Sequence, residues 1–121
     1  MAVILVADDE PELREIITFG LSRDGHELRT AADGQEALDM VRRDRPDMCI
    51  LDLRMPRLNG LEVLRSLRAD EAYAKMPILI LTARVSEQTV ADALDQGADG
   101  YLTKPFSLAE LRAHVRGHLR S

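Results

Sequence analysis

Asp8 and Asp9 follow one short apolar run, Asp52 and Thr82 close two others, and Lys104 follows a fourth. Each has an ordinary reading alone: an aspartate caps a helix, a threonine suits a strand, a loop lysine is solvated. At the ends of four different predicted strands, they point together to one site. Three carboxylates drawn together repel, and without a cation at least one takes up a proton. The arrangement therefore asks for a metal. Its donors are oxygens with no His or Cys nearby in sequence, which suits Mg²⁺, or Mn²⁺, better than Zn²⁺. Octahedral Mg²⁺ keeps several waters and takes one or two carboxylates plus a phosphate oxygen. A phosphoryl group is then the natural substrate. Lys104 pairs with one of its oxygens, the Thr82 hydroxyl hydrogen-bonds to another, and Asp52 is the nucleophile that becomes an aspartyl phosphate.

The elements that must hold these groups follow from a fivefold alternation of short apolar runs with longer amphipathic stretches, the pattern of consecutive βα units around a parallel sheet. The runs are residues 3–7, 26–31, 48–53, 78–83 and 100–103. Helical spacing joins Leu13, Ile16, Ile17 and Leu21, then Leu61, Leu64 and Leu67, then Leu108, Leu111, Val115 and Leu119. Pro11 suits a first helical position, and Asp33 with Glu36, like Ser107 with Glu110, has the spacing of a capping box. Runs one, three and four are apolar throughout and belong in the middle, where helices cover both faces. Run two alternates and run five is short, so both are edges. Right-handed crossovers then give a doubly wound α/β fold, flavodoxin-like, with order 2-1-3-4-5. Its crevice lies at the carboxyl ends of strands one and three, where the five polar residues converge.

The chain's 121 residues suit one domain, taken as 1–121. The formal net charge of −5 argues against nucleic-acid or membrane binding through overall charge. The opening apolar run stops at Asp8-Asp9-Glu10, too short for a signal-peptide core, and no run reaches the ~20 apolar residues of a membrane span. A cytoplasmic location is the default expectation. Cys49, the single cysteine, sits in an apolar run and reads as a buried small hydrophobe.

Taken jointly, Val6-Ala7-Asp8-Asp9-Glu10, Leu51-Asp52-Leu53-Arg54-Met55-Pro56 with Asn59-Gly60, Leu81-Thr82-Ala83 and Gly97-Ala98-Asp99-Gly100-Tyr101-Leu102-Thr103-Lys104-Pro105-Phe106 resemble the receiver domain of two-component response regulators over essentially the whole chain. The resemblance implies that Asp52 accepts phosphate from a sensor histidine kinase or phosphotransfer protein. Asp9 and Asp52 would bind Mg²⁺ directly, Asp8 mainly through water, and the backbone carbonyl of Arg54 would complete the protein ligands. Thr82 and Tyr101 resemble the family's switch pair, and Lys104-Pro105 its cis peptide. The protein would catalyse only its own aspartyl phosphorylation and dephosphorylation and would not be an enzyme in the wider sense. Its helix 4/strand 5/helix 5 face would serve a homodimer or an output domain, with no direct nucleic-acid binding by this domain. Arg54 and Arg84, two residues after Asp52 and Thr82, would border the attacking water's path and shield the phosphoryl group.

Three rivals share part of this pattern. A flavodoxin-like electron carrier needs a Ser/Thr/Gly-rich phosphate loop after strand one, where this chain has Asp8-Asp9-Glu10. A haloacid-dehalogenase-like phosphatase places a second acid two residues after its nucleophile, at the position of Arg54. A pseudo-receiver typically lacks the acceptor or the lysine, and both are present. Winged-helix members of the family often carry two acids before the tyrosine, whereas Gly100 follows Asp99; this weakens the case for their shared dimer. Arg112, Arg116 and Arg120, near Asp99 and Glu110, read first as a solvated helix surface, with a charged partner face as the alternative, and His114 and His118 read as surface residues.

Overall fold

A computed structural model describes residues 2–83 and 87–119, without the side chains of residues 87–89. The strands are β1 (Val3–Ala7), β2 (Glu27–Ala31), β3 (Met48–Asp52), β4 (Ile78–Thr82) and β5 (Gly100–Thr103). The helices are α1 (Pro11–Ser22), α2 (Gly34–Asp44), α3 (Gly60–Arg68), α4 (Glu87–Asp95) and α5 (Leu108–Leu119), with a 3₁₀ turn at Glu71–Tyr73. All strand pairs are parallel and the order is β2-β1-β3-β4-β5. The predicted order holds because β3 and β4 are buried at every position while β2 keeps exposed ones.

Alternation along each strand sends its side chains into two cores. Leu5, Cys49, Leu51, Ile78 and Ile80 meet Leu38, Val41, Val63, Leu64 and Leu67 of α2 and α3. Ile4, Val6, Ile50, Leu79 and Leu81 meet Ile17, Leu21, Leu111 and Val115 of α1 and α5 on the other face. Cys49 belongs to the first core, and burial pushes its thiol up to about 12, which keeps it protonated. Ile16, part of the helical spacing of α1, is exposed, since it lies about 100° round the helix from the buried Ile17.

Helix starts show how the loops above the sheet are held. Ser107 and Glu110 form both arms of a capping box. Asp33 accepts from the Glu36 N–H, but Glu36 reaches back to the Ala32 N–H instead of Asp33, so that box opens by one residue. A full box that spacing arguments passed over joins Asn59 and Glu62 at the start of α3. Its signal was present, an Asn followed three residues later by Glu before an apolar run.

Candidate functional site

β1, β3 and β4 end at the same edge of the sheet, each one residue beyond the last, and the chain carries its acids and hydroxyl over that edge. Asp8, just past β1, is fully buried; Asp52 and Thr82, the last residues of β3 and β4, are 4% and 5% exposed. Main-chain bonds lock this edge: the Asp8 N–H donates to the Ala31 carbonyl, the Leu53 N–H to that of Leu81, and the Lys104 N–H to that of Thr82 at 2.7 Å. The Arg14 guanidinium of α1 donates to the Asp8 carbonyl. Gly60 opens α3 directly beneath β3, where a Cβ would stand 2.3 Å from the Asp52 carbonyl oxygen. Only glycine lets the helix start so close to the end of the strand.

Lys104 reaches across from the β5–α5 loop, and its Nζ donates to Asp8 Oδ2 and Asp52 Oδ2 at 2.9 Å each. It also lies 3.5 Å from Glu10 Oε1. Residues 52 and 96 positions away in sequence thus share one ammonium. Burial works against that charge, but the hydrogen bonds and charges of Asp52 and Asp8 outweigh it and push Lys104 up to about 12. Burial of Asp52 raises its carboxyl above the ordinary 3.8, with Asp8 adding repulsion; the bonds from Lys104 and from the Arg54 N–H at 3.1 Å oppose this without cancelling it. Burial thus does more than repulsion to raise Asp52, and Lys104 is the resident countercharge of both acids. That differs from a lysine waiting for a phosphoryl oxygen: before a ligand arrives, the buried acids are the strongest acceptors within its reach.

Carboxylate oxygens from Asp8, Asp9 and Glu10 lie within 4.8 Å of one another, with Asp9 and Glu10 exposed. An all-oxygen set, part buried and part open to solvent, fits Mg²⁺, which retains water on its open side. Glu10 joins a cluster expected to consist of aspartates. It was legible only as the third acid after β1, because its reach depends on how the loop turns; its N–H is held by Asp8 Oδ1 at 2.9 Å. Asp52, expected as a direct ligand, is not in this group of three; it is joined to Asp8 through the shared Lys104 ammonium.

Tyr101, on β5, is exposed, and the Lys104-Pro105 peptide is cis. The Arg54 side chain is exposed; Arg84 and Arg120 lie outside the described residues. Two of the charges near α5 pair elsewhere. Arg112 donates twice to Asp24 in the α1–β2 turn. Asp99 pairs with Arg68 of α3 at 2.9 Å and accepts from the Ile78 N–H. Both partners come from elements remote in sequence.

A family model for the response regulator receiver domain matches residues 4–116. The chain is 51% identical over 117 residues to the response regulator MprA of Mycobacterium leprae, covering 97% of this chain and 50% of that protein. It thus spans about half the length of the curated relatives it matches. Among solved structures, it is similar to chemotaxis protein CheY4 of Vibrio cholerae, with a TM-score of 0.93, 35% identity and coverage of 98% and 99% of the two chains. It is equally similar to the receiver domain of Francisella response regulator 1452, with a TM-score of 0.93, 33% identity and coverage of 99% and 98%.

Proposed function

The chain belongs to the response regulator receiver family of two-component systems, and from that premise we propose that it is a phosphoacceptor whose Asp52 takes a phosphoryl group from a histidine kinase or phosphotransfer partner. The observation that carries this reading is the buried Asp52 carboxylate sharing the Lys104 ammonium with Asp8 at the mouth of the sheet. Asp8, Asp9 and Asp52 would hold Mg²⁺, with the Arg54 main-chain carbonyl as a further ligand and Glu10 close enough to contribute. When bound, the ion supplies positive charge against the oxygens of the incoming phosphoryl group.

An oxygen of Asp52 attacks phosphorus, the bond from phosphorus to the donor breaks, and the donor leaves with that electron pair. Asp52 reacts as the carboxylate. The Lys104 ammonium at 2.9 Å supports the charged form. Lys104 moves its bonds from the acids to a phosphoryl oxygen, and Thr82, buried at the next strand end, offers its hydroxyl to another. Tyr101 follows Thr82 inward, altering the α4–β5–α5 face for a second copy or an output domain. Loss of phosphate is hydrolysis of the same bond, so the chain transforms only itself. No helix among the described residues is long and apolar enough to cross a membrane; the reading places the protein in the cytoplasm, where kinase partners carry their phosphoryl groups.

Incubation with acetyl phosphate tests the assignment by mass spectrometry. One phosphoryl group should appear in the presence of Mg²⁺, be absent with EDTA, and be absent in Asp52→Asn. Mg²⁺-dependent modification that persists in Asp52→Asn overturns it.

A further inference from the structure

Two histidines lie together at the opposite end of the sheet from the acids, on the last two turns of α5. His114 and His118 are one turn apart, and their rings stack with centroids 6.3 Å apart and planes at 27°. Both are half-buried, and both rest over Gly100 at the start of β5. A Cβ at Gly100 would meet His118 Nε2 at 3.3 Å and His114 Nδ1 at 3.8 Å. A nitrogen of each ring therefore faces the same bare stretch of backbone. Without a side chain there, both rings can lie close against the β5 backbone with these nitrogens on one side.

We propose that His114 and His118 form a two-imidazole site for a borderline divalent transition ion of the zinc, nickel and copper group. Imidazole nitrogen is a preferred donor for these ions and a poor one for Mg²⁺, so this pair and the acid cluster sort cations by chemistry. A four-coordinate ion with metal–nitrogen distances of about 2.0–2.1 Å needs the two nitrogens closer than the stacked rings hold them. A rotation about the outer side-chain bonds of an i, i+4 pair supplies that approach without moving the helix.

Solvent access and charge favour the site. His114 lines a cleft with Glu110 and Tyr101, and His118 lines a cavity of about 530 Å³ with His26, Asp47 and Lys75. A hydrated ion thus reaches the pair from either side, and waters fill its remaining positions. Glu110 precedes His114 by one turn and brings a negative charge to the same stripe of the helix. Arg112 and Arg116 lie about 120–160° round the helix from the two histidines, and Arg112 is held away by Asp24. Lys75 is the opposing charge, and it shares the cavity with Asp47. Two ligands on α5 beside β5 would also make the ion a clamp on the helix that borders Tyr101.

Titration with ZnCl₂ in saturating MgCl₂ tests the site, followed by calorimetry and by ¹⁵N shifts of the histidine rings. Expected is one Zn²⁺ equivalent that Mg²⁺ does not displace, with the His114 and His118 nitrogens moving on a single isotherm. His114→Ala and His118→Ala should each weaken that event about tenfold or more. Should alanine loosen α5, seen as a lowered Tm without metal, His114→Gln and His118→Gln give the same comparison. Binding that Mg²⁺ abolishes, or that survives loss of both histidines, overturns the proposal.

Discussion

Asp52 and Lys104 show how one buried pair can be both a liability to stability and the basis of reactivity. Because folding raises the Asp52 pKa above 3.8, the native state holds this proton more tightly than the unfolded chain. Stability therefore falls as pH rises through the window above 3.8, and the ionised carboxylate costs stability at neutrality. Asp52→Asn removes that cost. In metal-free buffer at pH 7 it should unfold at a higher temperature, by about 1 kcal/mol or ~4 °C. The gain should shrink as pH is lowered toward 3.8 and be gone below it; thermal melts from pH 3 to 8 check both points. Lys104 has the opposite sense. Removing it in Lys104→Ala leaves Asp8 and Asp52 without their shared cation and should cost about 1–3 kcal/mol without metal. The same change removes the charge that a metal must displace. Calorimetry should show Mg²⁺ binding several-fold more tightly in Lys104→Ala than in the parent, and weaker binding would show that Lys104 is not the competing countercharge.

Two glycines give opposite predictions at the scale of the element. At Gly60, a methyl group meets the Asp52 carbonyl oxygen at 2.3 Å and the Leu53 Cα at 3.0 Å, both backbone. Neither atom can swing aside, so α3 and the end of β3 must part. Gly60→Ala should destabilise by about 1–3 kcal/mol and slow phosphorylation by acetyl phosphate, since the acceptor moves with its strand. At Gly117 on α5, the same methyl meets nothing within 4 Å. Gly117→Ala should stabilise by about 0.5–1 kcal/mol through helix propensity alone and leave phosphorylation unchanged. Chemical denaturation of the two variants, with equal m-values, checks the pair. The capping boxes also belong to this scale. Ser107 with Glu110 was readable from spacing, whereas the Glu36 carboxylate bonds to Ala32, a choice made by the loop's path.

Across the whole molecule, Arg68 ties three parts together. Its guanidinium, at the end of α3, donates to the carbonyls of Gly97 and Tyr73 and to Asp99. Gly97 makes room for it: its φ of +104° suits glycine, and a Cβ there would stand 3.0 Å from the Arg68 side chain. Asp99 in turn takes the Ile78 N–H, so one side chain fixes where β5 begins. Arg68→Ala should therefore speed amide hydrogen exchange over residues 97–101 while leaving α1 and β1 protected. Unchanged exchange in that segment would show that the main-chain bonds hold β5 unaided. For the switch, binding of a phosphoryl mimic should shift backbone resonances around α4 and β5, and Thr82→Ala should shrink those shifts, because a switch needs contacts that differ between its two states.

The order of the strands, the two-sided burial of β3 and β4 and the gathering of Asp8, Asp52, Thr82 and Lys104 at one edge were all determined by the sequence alone. Apolar periodicity assigns the elements, and chain connectivity leaves few ways to stack them, so the ends of the strands are placed before any side chain is. What tertiary structure decided is which charge meets which. Lys104 settled between Asp8 and Asp52, Glu10 turned into the acid cluster, Asp99 went to Arg68 and Arg112 to Asp24. Each charged group chooses among several opposite charges, and long side chains reach many places at nearly equal cost. Only the packed positions of elements far apart in sequence bring particular partners within 3 Å.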